Sequence, residues 1–317
     1  MLNRLLSTLP FLEVLLRNLY WRNTAINRIA NYFSKKSRHP LPPPTKSNTN
    51  NANAFFEDVS RLGIGSGDIL IVHSSFGELK KFGLTPKEVI TRLLSIIGET
   101  GTLVMPAIPI FREAPPAEKR FDSSLFSKPF IYNVKKARIW TGALPQALIS
   151  TPGSVRSRHP LNSIVAYGAH AENMVARELT SKNNSPCGEG STWAYCYEHN
   201  AKILMIGVDV VHSLTMIHVA EDLFPEQWPI ANWYRKRQFR IIDDGFDEMV
   251  EVSERRPEWA LFYAERGFSK DLHKAGVIKT SLSENINLSV IESAQLIDFL
   301  NSKKHSGYPY YIPFWLK

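Results

Sequence analysis

Gly207-Val-Asp-Val-Val-His-Ser-Leu-Thr-Met-Ile-His-Val-Ala-Glu221 is the stretch on which the reading of this chain turns. In front of it, Lys202-Ile-Leu-Met-Ile206 is a compact apolar run closed by a glycine, the pattern of a buried strand. Behind it, Thr215 to Phe224 alternates at helical spacing. A helix there puts Thr215, His218 and either Glu221 or Asp222 on one face, because residues three and four apart are helical neighbours. Open α/β sheets hold ligands where a strand ends and a helix begins. The junction carries a hydroxyl, an imidazole with an ordinary pKa near neutrality and a carboxylate able to orient it. These are the components of a general base with a holder and a polar assistant.

A Thr and a His on a half-buried helix also serve as caps and satisfied core polar groups. The meaning of the triple therefore depends on its company. Ile71-Val-His-Ser-Ser-Phe-Gly77, Arg156-Ser-Arg-His-Pro-Leu-Asn-Ser163 and Gly188-Glu-Gly-Ser191 stand before it in that order. Together these motifs resemble the aminoglycoside 3-N-acetyltransferase family, antibiotic N-acetyltransferases that use acetyl-CoA. The resemblance runs from about Phe55 to Leu300.

The resemblance implies a three-layer α/β/α sandwich and transfer of acetyl from acetyl-CoA to a primary amine of an amino sugar, either an aminoglycoside or an amino sugar of a surface polysaccharide. His218 is then the general base and Thr215 a hydrogen-bond donor to the departing thiolate. The holder of His218 is Glu221 or a carboxylate from a later strand, Glu251 first and Glu254 second. Coenzyme A contacts fall to His73, Ser74 and Ser75, and to Arg156, Ser157 and His159, whose guanidinium, hydroxyl and imidazole suit phosphates. Family members are often dimers, so a homodimer is expected. Two departures stand out: Thr192 occupies a position where the family commonly has proline, and the sequence around Glu251 differs from the family pattern. A rival reading is a non-catalytic member of the same fold that binds an acyl-CoA or a partner through its N-terminal arm. The retained Thr215–His218 pair argues against it.

The chain has 317 residues, a net charge of +8 and two cysteines, Cys187 and Cys196. So few cysteines exclude a disulfide framework and fit a reducing cytoplasm. With His199 they also lack the paired spacing of a zinc site, so no metal is expected. The positive charge is concentrated: Arg4, Arg17, Arg22, Arg28, Lys35, Lys36, Arg38 and Lys46 face a single acid, Glu13. The remainder is nearly neutral, which excludes a catalytic domain with a nucleic-acid stripe of its own.

Residues 1–38 read as a basic amphipathic helical extension, with Leu5, Leu9, Leu12, Leu16 and Leu19 in a stripe and a break at Pro10. Arg4, Glu13 and Arg17 interrupt any membrane-spanning run. The arm suits either peripheral contact with an anionic membrane or packing on the protein itself. Residues 39–53, rich in proline and asparagine, read as a linker, leaving 54–317 as the catalytic domain. Within it the sequence predicts strands at Asp68–His73 and Thr102–Pro106 flanking a helix that starts with the capping box Thr85-Pro-Lys-Glu88. Helices are predicted from Gly142, over Trp193–Glu198 and over Val290–Leu300. The 106–139 region reads as an irregular acceptor-side loop. A hairpin is predicted around Asp243-Asp-Gly245. The acids Asp222, Glu226, Asp243, Asp244, Asp247 and Glu248 are near the motif in sequence and are expected to form an acidic cleft.

Overall fold

A computed structural model describes residues 2–23, 26, 49–116, 119 and 121–314. The parts of the extension and linker between residues 27 and 48 lie outside the described residues. Ten strands are named in chain order: β1 Ile69–Ser74, β2 Thr102–Pro106, β3 Phe130–Asn133, β4 Val155–Arg156, β5 Ile164–Gly168, β6 Lys202–Ile206, β7 Tyr234–Asp243, β8 Phe246–Arg255, β9 Ile278–Ser283 and β10 Ile286–Glu292.

Among the described residues, one sheet has seven strands in the order β4-β5-β2-β1-β6-β10-β9. β1 runs parallel to β2 and β6, with Val72 opposite Leu204 and His73 opposite Met205. β5, β10 and β9 join by antiparallel pairing, so the sheet is mixed. The continuous apolar runs of β1 and β6 follow from burial on both faces. Ile69, Ile71, Ile203 and Met205 enter a core with Trp193, Phe268 and Leu296. Leu70, Val72, Leu204 and Ile206 enter another with Phe55, Val89, Leu93 and Leu148. The helices Thr49–Arg61, Pro86–Ile97 and Ala143–Ile149 supply the second core; Thr192–Glu198, Glu265–Lys274 and Ser293–Lys303 supply the first. The fold is thus an α/β/α sandwich, as the resemblance implied.

The capping box forms as written. Thr85 Oγ1 accepts from the Glu88 N–H at 3.2 Å, and Glu88 Oε2 accepts from the Thr85 N–H at 2.7 Å. A second sheet, β3-β7-β8, lies apart, with its own core of Phe130, Tyr132, Phe239, Ile241 and Val252. The β7–β8 hairpin pairs Asp243 with Phe246, so Asp244-Gly245 makes the turn, with Gly245 at φ +68°.

Several sequence expectations need correction. The 106–139 region is not wholly irregular: β3 lies in it, paired in parallel with β7. The last part of the linker, from Thr49, belongs to the Thr49–Arg61 helix. The final helix begins at Ser293, and Val290–Glu292 belongs to β10.

The N-terminal arm packs on its own domain. It forms helices α1 (Leu2–Thr8) and α2 (Pro10–Arg22), with Pro10 at the first position of the second. Glu13, 2% exposed, pairs with Arg266 at 2.9 Å, and Arg17 pairs with Glu265 at 2.5 Å. Asn18 Nδ2 donates to the Leu261 carbonyl at 3.0 Å. Val14 and Trp21 join an aromatic cluster with Trp228, Trp233, Phe262 and Tyr310. Among the described residues, no helix is long and apolar enough to cross a membrane.

Candidate active site

β1 is the switch point of the large sheet, with its parallel neighbours β2 and β6 on opposite sides. Ligand crevices form at the carboxyl ends of such strands. β6 delivers its chain there through Gly207, at φ +61°, where an added Cβ would lie 2.7 Å from Glu78 Cγ. Thr215–His218 then forms one 3₁₀ turn, and Val219–Asp222 one α turn. At three residues per 3₁₀ turn, Thr215 and His218 stand in line on one face. His218 and Glu221 continue the row: His218 Nδ1 and Glu221 Oε1 are 3.1 Å apart.

The His218 side chain is 18% exposed. It lines a cavity of about 290 Å³ together with Ile108, Phe111, Leu161, Glu221, Glu254 and Arg255. The imidazole is therefore embedded yet reachable. Burial lowers its pKa below the ordinary 6.5, and the Arg255 charge adds to this against the opposing pull of Glu221. The ring is neutral at neutral pH, the state a base requires.

Glu221 is 2% exposed. Burial works against its charge, but His218 and Arg255, with hydrogen bonds from His218 and Tyr310, hold its carboxyl below the ordinary value. Tyr310 O–H donates to Glu221 Oε1 at 2.5 Å, and Arg255 donates to the same phenol oxygen. Arg255 Nη1 also stands 3.1 Å from His218 Nδ1 and 3.6 Å from Glu221 Oε2. His218 Nδ1 thus has two competing neighbours. Donation of an Nδ1 proton to Glu221 leaves Nε2 as the free base; acceptance from Arg255 does the reverse.

Asp222 points away from this pair. Its carboxylate accepts from the Cys187 N–H at 3.0 Å and from Tyr234 O–H at 2.8 Å. Burial, helped by Glu221, pushes its pKa up to about 7. Gly188 belongs to the loop against it: a Cβ there would meet the Asp222 carbonyl oxygen at 2.8 Å.

The structure separates the other sequence candidates. Glu251 is a correction: it accepts from Gln238 at 2.9 Å on the exposed side of the hairpin, and Lys236 lies 3.6 Å away. Glu254 accepts from Arg235 and Arg237. The return strand β8 brings Arg255, not a carboxylate, to His218. Arg156 spends its guanidinium on the carbonyls of Ala107, Val134 and Ala137, at 2.7–3.2 Å. It borders a different cavity, of about 820 Å³, beside Arg158, Glu178 and Asp243. Ser157 is buried and donates to Glu178 at 2.5 Å. His159 is buried between the carbonyls of Leu161 and Asn184, at 2.8 and 3.0 Å. These three side chains brace the loop rather than present free donors. His73 is buried in β1, its Nε2 without a hydrogen-bond partner, and burial lowers its pKa to about 4. Ser74 and Ser75 are half-buried at the end of β1, where the Ser75 N–H donates to the Ile206 carbonyl at 2.9 Å. Among the described residues, no three His, Cys, Asp or Glu side chains gather as a metal site.

The acidic cleft also needs correction. Asp243 pairs with Arg158, Asp244 with Lys135 and Asp247 with Arg240. Asp222 is buried behind Tyr234. Glu226 and Glu248 are exposed elsewhere on the surface, and only Asp222 of the six borders the His218 cavity.

Arg255 and Tyr310 are the site residues that sequence reasoning missed. Arg255 adjoins Glu254, the second-choice carboxylate, one position off in register. Tyr310 lies in the aromatic tail Gly307-Tyr-Pro-Tyr-Tyr-Ile-Pro-Phe-Trp, where the density of rings was the signal of a packed role.

A mixed α/β sandwich that sets an imidazole–carboxylate pair beside a cavity, at the carboxyl ends of its strands, defines an enzyme of the proton-transfer or group-transfer kind. The comparisons with known proteins narrow this. The family model described as aminoglycoside 3-N-acetyltransferase matches residues 71–303, and the chain belongs to that family. Relatives include aminoglycoside N(3)-acetyltransferase IX of Micromonospora chalcea, 29% identical over 59% of this chain and 70% of that protein. Aminoglycoside N(3)-acetyltransferase VII of Streptomyces paromomycinus is 26% identical over 76% of this chain and 87% of that protein. Among solved structures, the aminoglycoside acetyltransferase AAC(3)-Xa superposes with a TM-score of 0.65 at 22% identity, covering 80% of this chain and 92% of that one. AAC-IIIb, solved as a binary complex with CoASH, superposes with a TM-score of 0.64 at 23% identity, covering 83% and 98%. The protein is an acyltransferase of this family.

Proposed function

We propose that this chain transfers acetyl from acetyl-CoA to a primary amine of an amino sugar by direct attack, with His218 as general base. The observation that carries this reading is the His218–Glu221 pair at 3.1 Å, its ring bordering a cavity of about 290 Å³. An alkyl ammonium must lose a proton before its nitrogen can attack a thioester. That first proton goes to solvent as the amine binds; His218 Nε2 takes the second as the nitrogen adds to the thioester, while Nδ1–H donates to Glu221 and fixes the tautomer. The nitrogen bonds to the carbonyl carbon, the oxygen takes the negative charge, and the carbon–sulfur bond then breaks. The thiolate leaves with the bonding pair, takes a hydrogen bond from Thr215 and receives the proton held by His218. The half-buried hydroxyls of Ser74 and Ser75 are the donors assigned to coenzyme A oxygens at this strand end, the Ser75 N–H being taken by the Ile206 carbonyl.

The relatives' names favour aminoglycosides as acceptors. The cavity wall holds Glu221, Asp222 and Glu254 beside a single Arg255, an excess of acids that suits a cationic amino sugar. The buried, unpaired Cys187 and Cys196 fit a cytoplasmic setting. The test is steady-state thiol release from acetyl-CoA with a panel of amino sugars and aminoglycosides. His218→Gln should lower kcat by about 10²–10⁴-fold while acetyl-CoA still binds. Wild-type turnover in that variant would remove His218 from the chemistry. Acetyl-CoA binding without turnover on any amine would favour the non-catalytic reading.

A further inference from the structure

We infer that the outward face of the N-terminal arm docks on an anionic lipid bilayer. α2 is apolar on its solvent side as well as at its contact with the domain. Its inward positions are Val14 and Trp21 with Glu13, Arg17 and Asn18, and the charged and polar ones among them are satisfied by Arg266, Glu265 and the Leu261 carbonyl. Its outward positions are apolar: Phe11 is 70% exposed, Leu15 55% and Leu19 47%. Leu16 on α2, Leu9 at the junction and Leu5 on α1 are exposed as well. A packed helix ordinarily turns its apolar side inward. A contiguous apolar patch rimmed by polar residues marks an interaction surface.

Charge selects the occupant. Arg4 on α1 and Arg22 at the end of α2 are exposed. The single acid of the arm, Glu13, is buried and paired with Arg266. The neighbouring acids Glu265 and Asp271 are engaged by Arg17 and by Tyr308 O–H. Beside α1 the groove carries Arg266, Lys270 and His273 with one acid, Asp209. Through Lys46 the sequence adds Arg28, Lys35, Lys36, Arg38 and Lys46 and no acid. A symmetric dimer through this face would set the same positive patch against itself. An anionic bilayer takes both parts: acyl chains meet the phenylalanine and leucines, and lipid phosphates meet the arginines.

The test is co-sedimentation of the full chain with phosphatidylcholine vesicles and with phosphatidylcholine–phosphatidylglycerol vesicles, alongside sedimentation velocity without lipid. The expected result is binding to the anionic vesicles alone, weakened by salt. The variant Leu15→Ser/Leu16→Ser/Leu19→Ser, which leaves the Phe11–Tyr311 edge contact in place, should lose about tenfold or more in vesicle affinity. Arg4→Gln/Arg22→Gln should lose about fivefold per arginine. Both should keep the wild-type melting temperature and acetyl transfer, since these side chains face away from the domain. No binding to either vesicle, or equal binding to both, would overturn the inference. So would a concentration-dependent dimer that the serine variant abolishes, which would assign the face to a second copy of the chain.

Discussion

Tyr310→Phe removes one oxygen from the molecule and tests the arrangement around the proposed base. Tyr310 is 2% exposed, and its hydroxyl donates to Glu221 Oε1 at 2.5 Å. Burial pushes its own pKa well above the ordinary value, so it stays a donor. A hydrogen bond to a charged group contributes about 1.5–3 kcal/mol, and solvent screening is small at this depth. Glu221 has little in reserve. Its Oε2 has no hydrogen-bond partner, and Arg255 stands 3.6 Å from it. Without the phenol, the carboxylate depends on His218 alone for a hydrogen bond. The melting temperature should therefore fall by about 3–12 °C, at roughly 2–4 °C per kcal/mol. The loosened holder should also lower kcat by about tenfold, which corresponds to about 1.4 kcal/mol at the barrier. KM for acetyl-CoA should stay unchanged. Differential scanning fluorimetry and thiol-release kinetics read the two effects separately. A melting-temperature drop with wild-type kcat at every pH would show that Tyr310 only packs, and would refute its place in the mechanism.

Arg255→Met should shift the acid limb of the pH–rate profile upward. The arginine charge helps to lower the His218 pKa, so its removal raises that pKa. A base acts above its pKa and is lost as pH falls through it, so activity should fail at a higher pH than in wild type. An unmoved limb would show that Arg255 does not influence the base. Glu178→Gln should flatten the pH dependence of stability. Burial pushes the Glu178 pKa up to about 7 from the ordinary 4.5. Between those values the folded chain holds a proton that the unfolded chain releases, so wild-type stability falls as pH rises through that window. Thermal melts at pH 5 and pH 8 should show the variant gaining on wild type at the higher pH. Parallel curves would place the titration elsewhere.

The sequence disclosed most about elements whose chemistry is local. β1, β2 and β6 were legible because double-sided burial demands unbroken apolar runs, and the 86–97 helix because Thr85 and Glu88 form a reciprocal cap. The row Thr215, His218, Glu221 was legible because a spacing of three aligns in either helix type. β3 was hidden, since Phe130-Ile-Tyr-Asn133 is short and its pairing with β7 spans a long stretch of chain. The β9–β10 hairpin was hidden because its turn puts Glu284 and Asn285 at φ +47° and +60°, conformations that Gly or Asn-Gly usually announce. The choice among Glu221, Glu251 and Glu254 rested on strand register, and a shift of one residue exchanges faces. At β8 that shift separates Glu254 from Arg255, while Glu251, on the same side as Arg255, lies nearer the hairpin turn and meets Gln238 instead of the imidazole. Arg156 shows another limit: a guanidinium suited to phosphates is equally suited to carbonyls, and only the fold reveals which it meets.

The division of the molecule into two sheets has a bearing on how such an enzyme diversifies. His218 and Glu221 hang from the large sheet, while Arg255 belongs to a hairpin with a hydrophobic core of its own. Changes in the segment leading to β3, which puts Ile108 and Phe111 in the cavity wall, can remodel that wall without touching the His218–Glu221 pair, to which the hairpin is tied through Arg255. Drift in acceptor range is therefore mechanically cheap in this architecture, whereas drift in the reaction itself would require rebuilding the carboxyl end of β6.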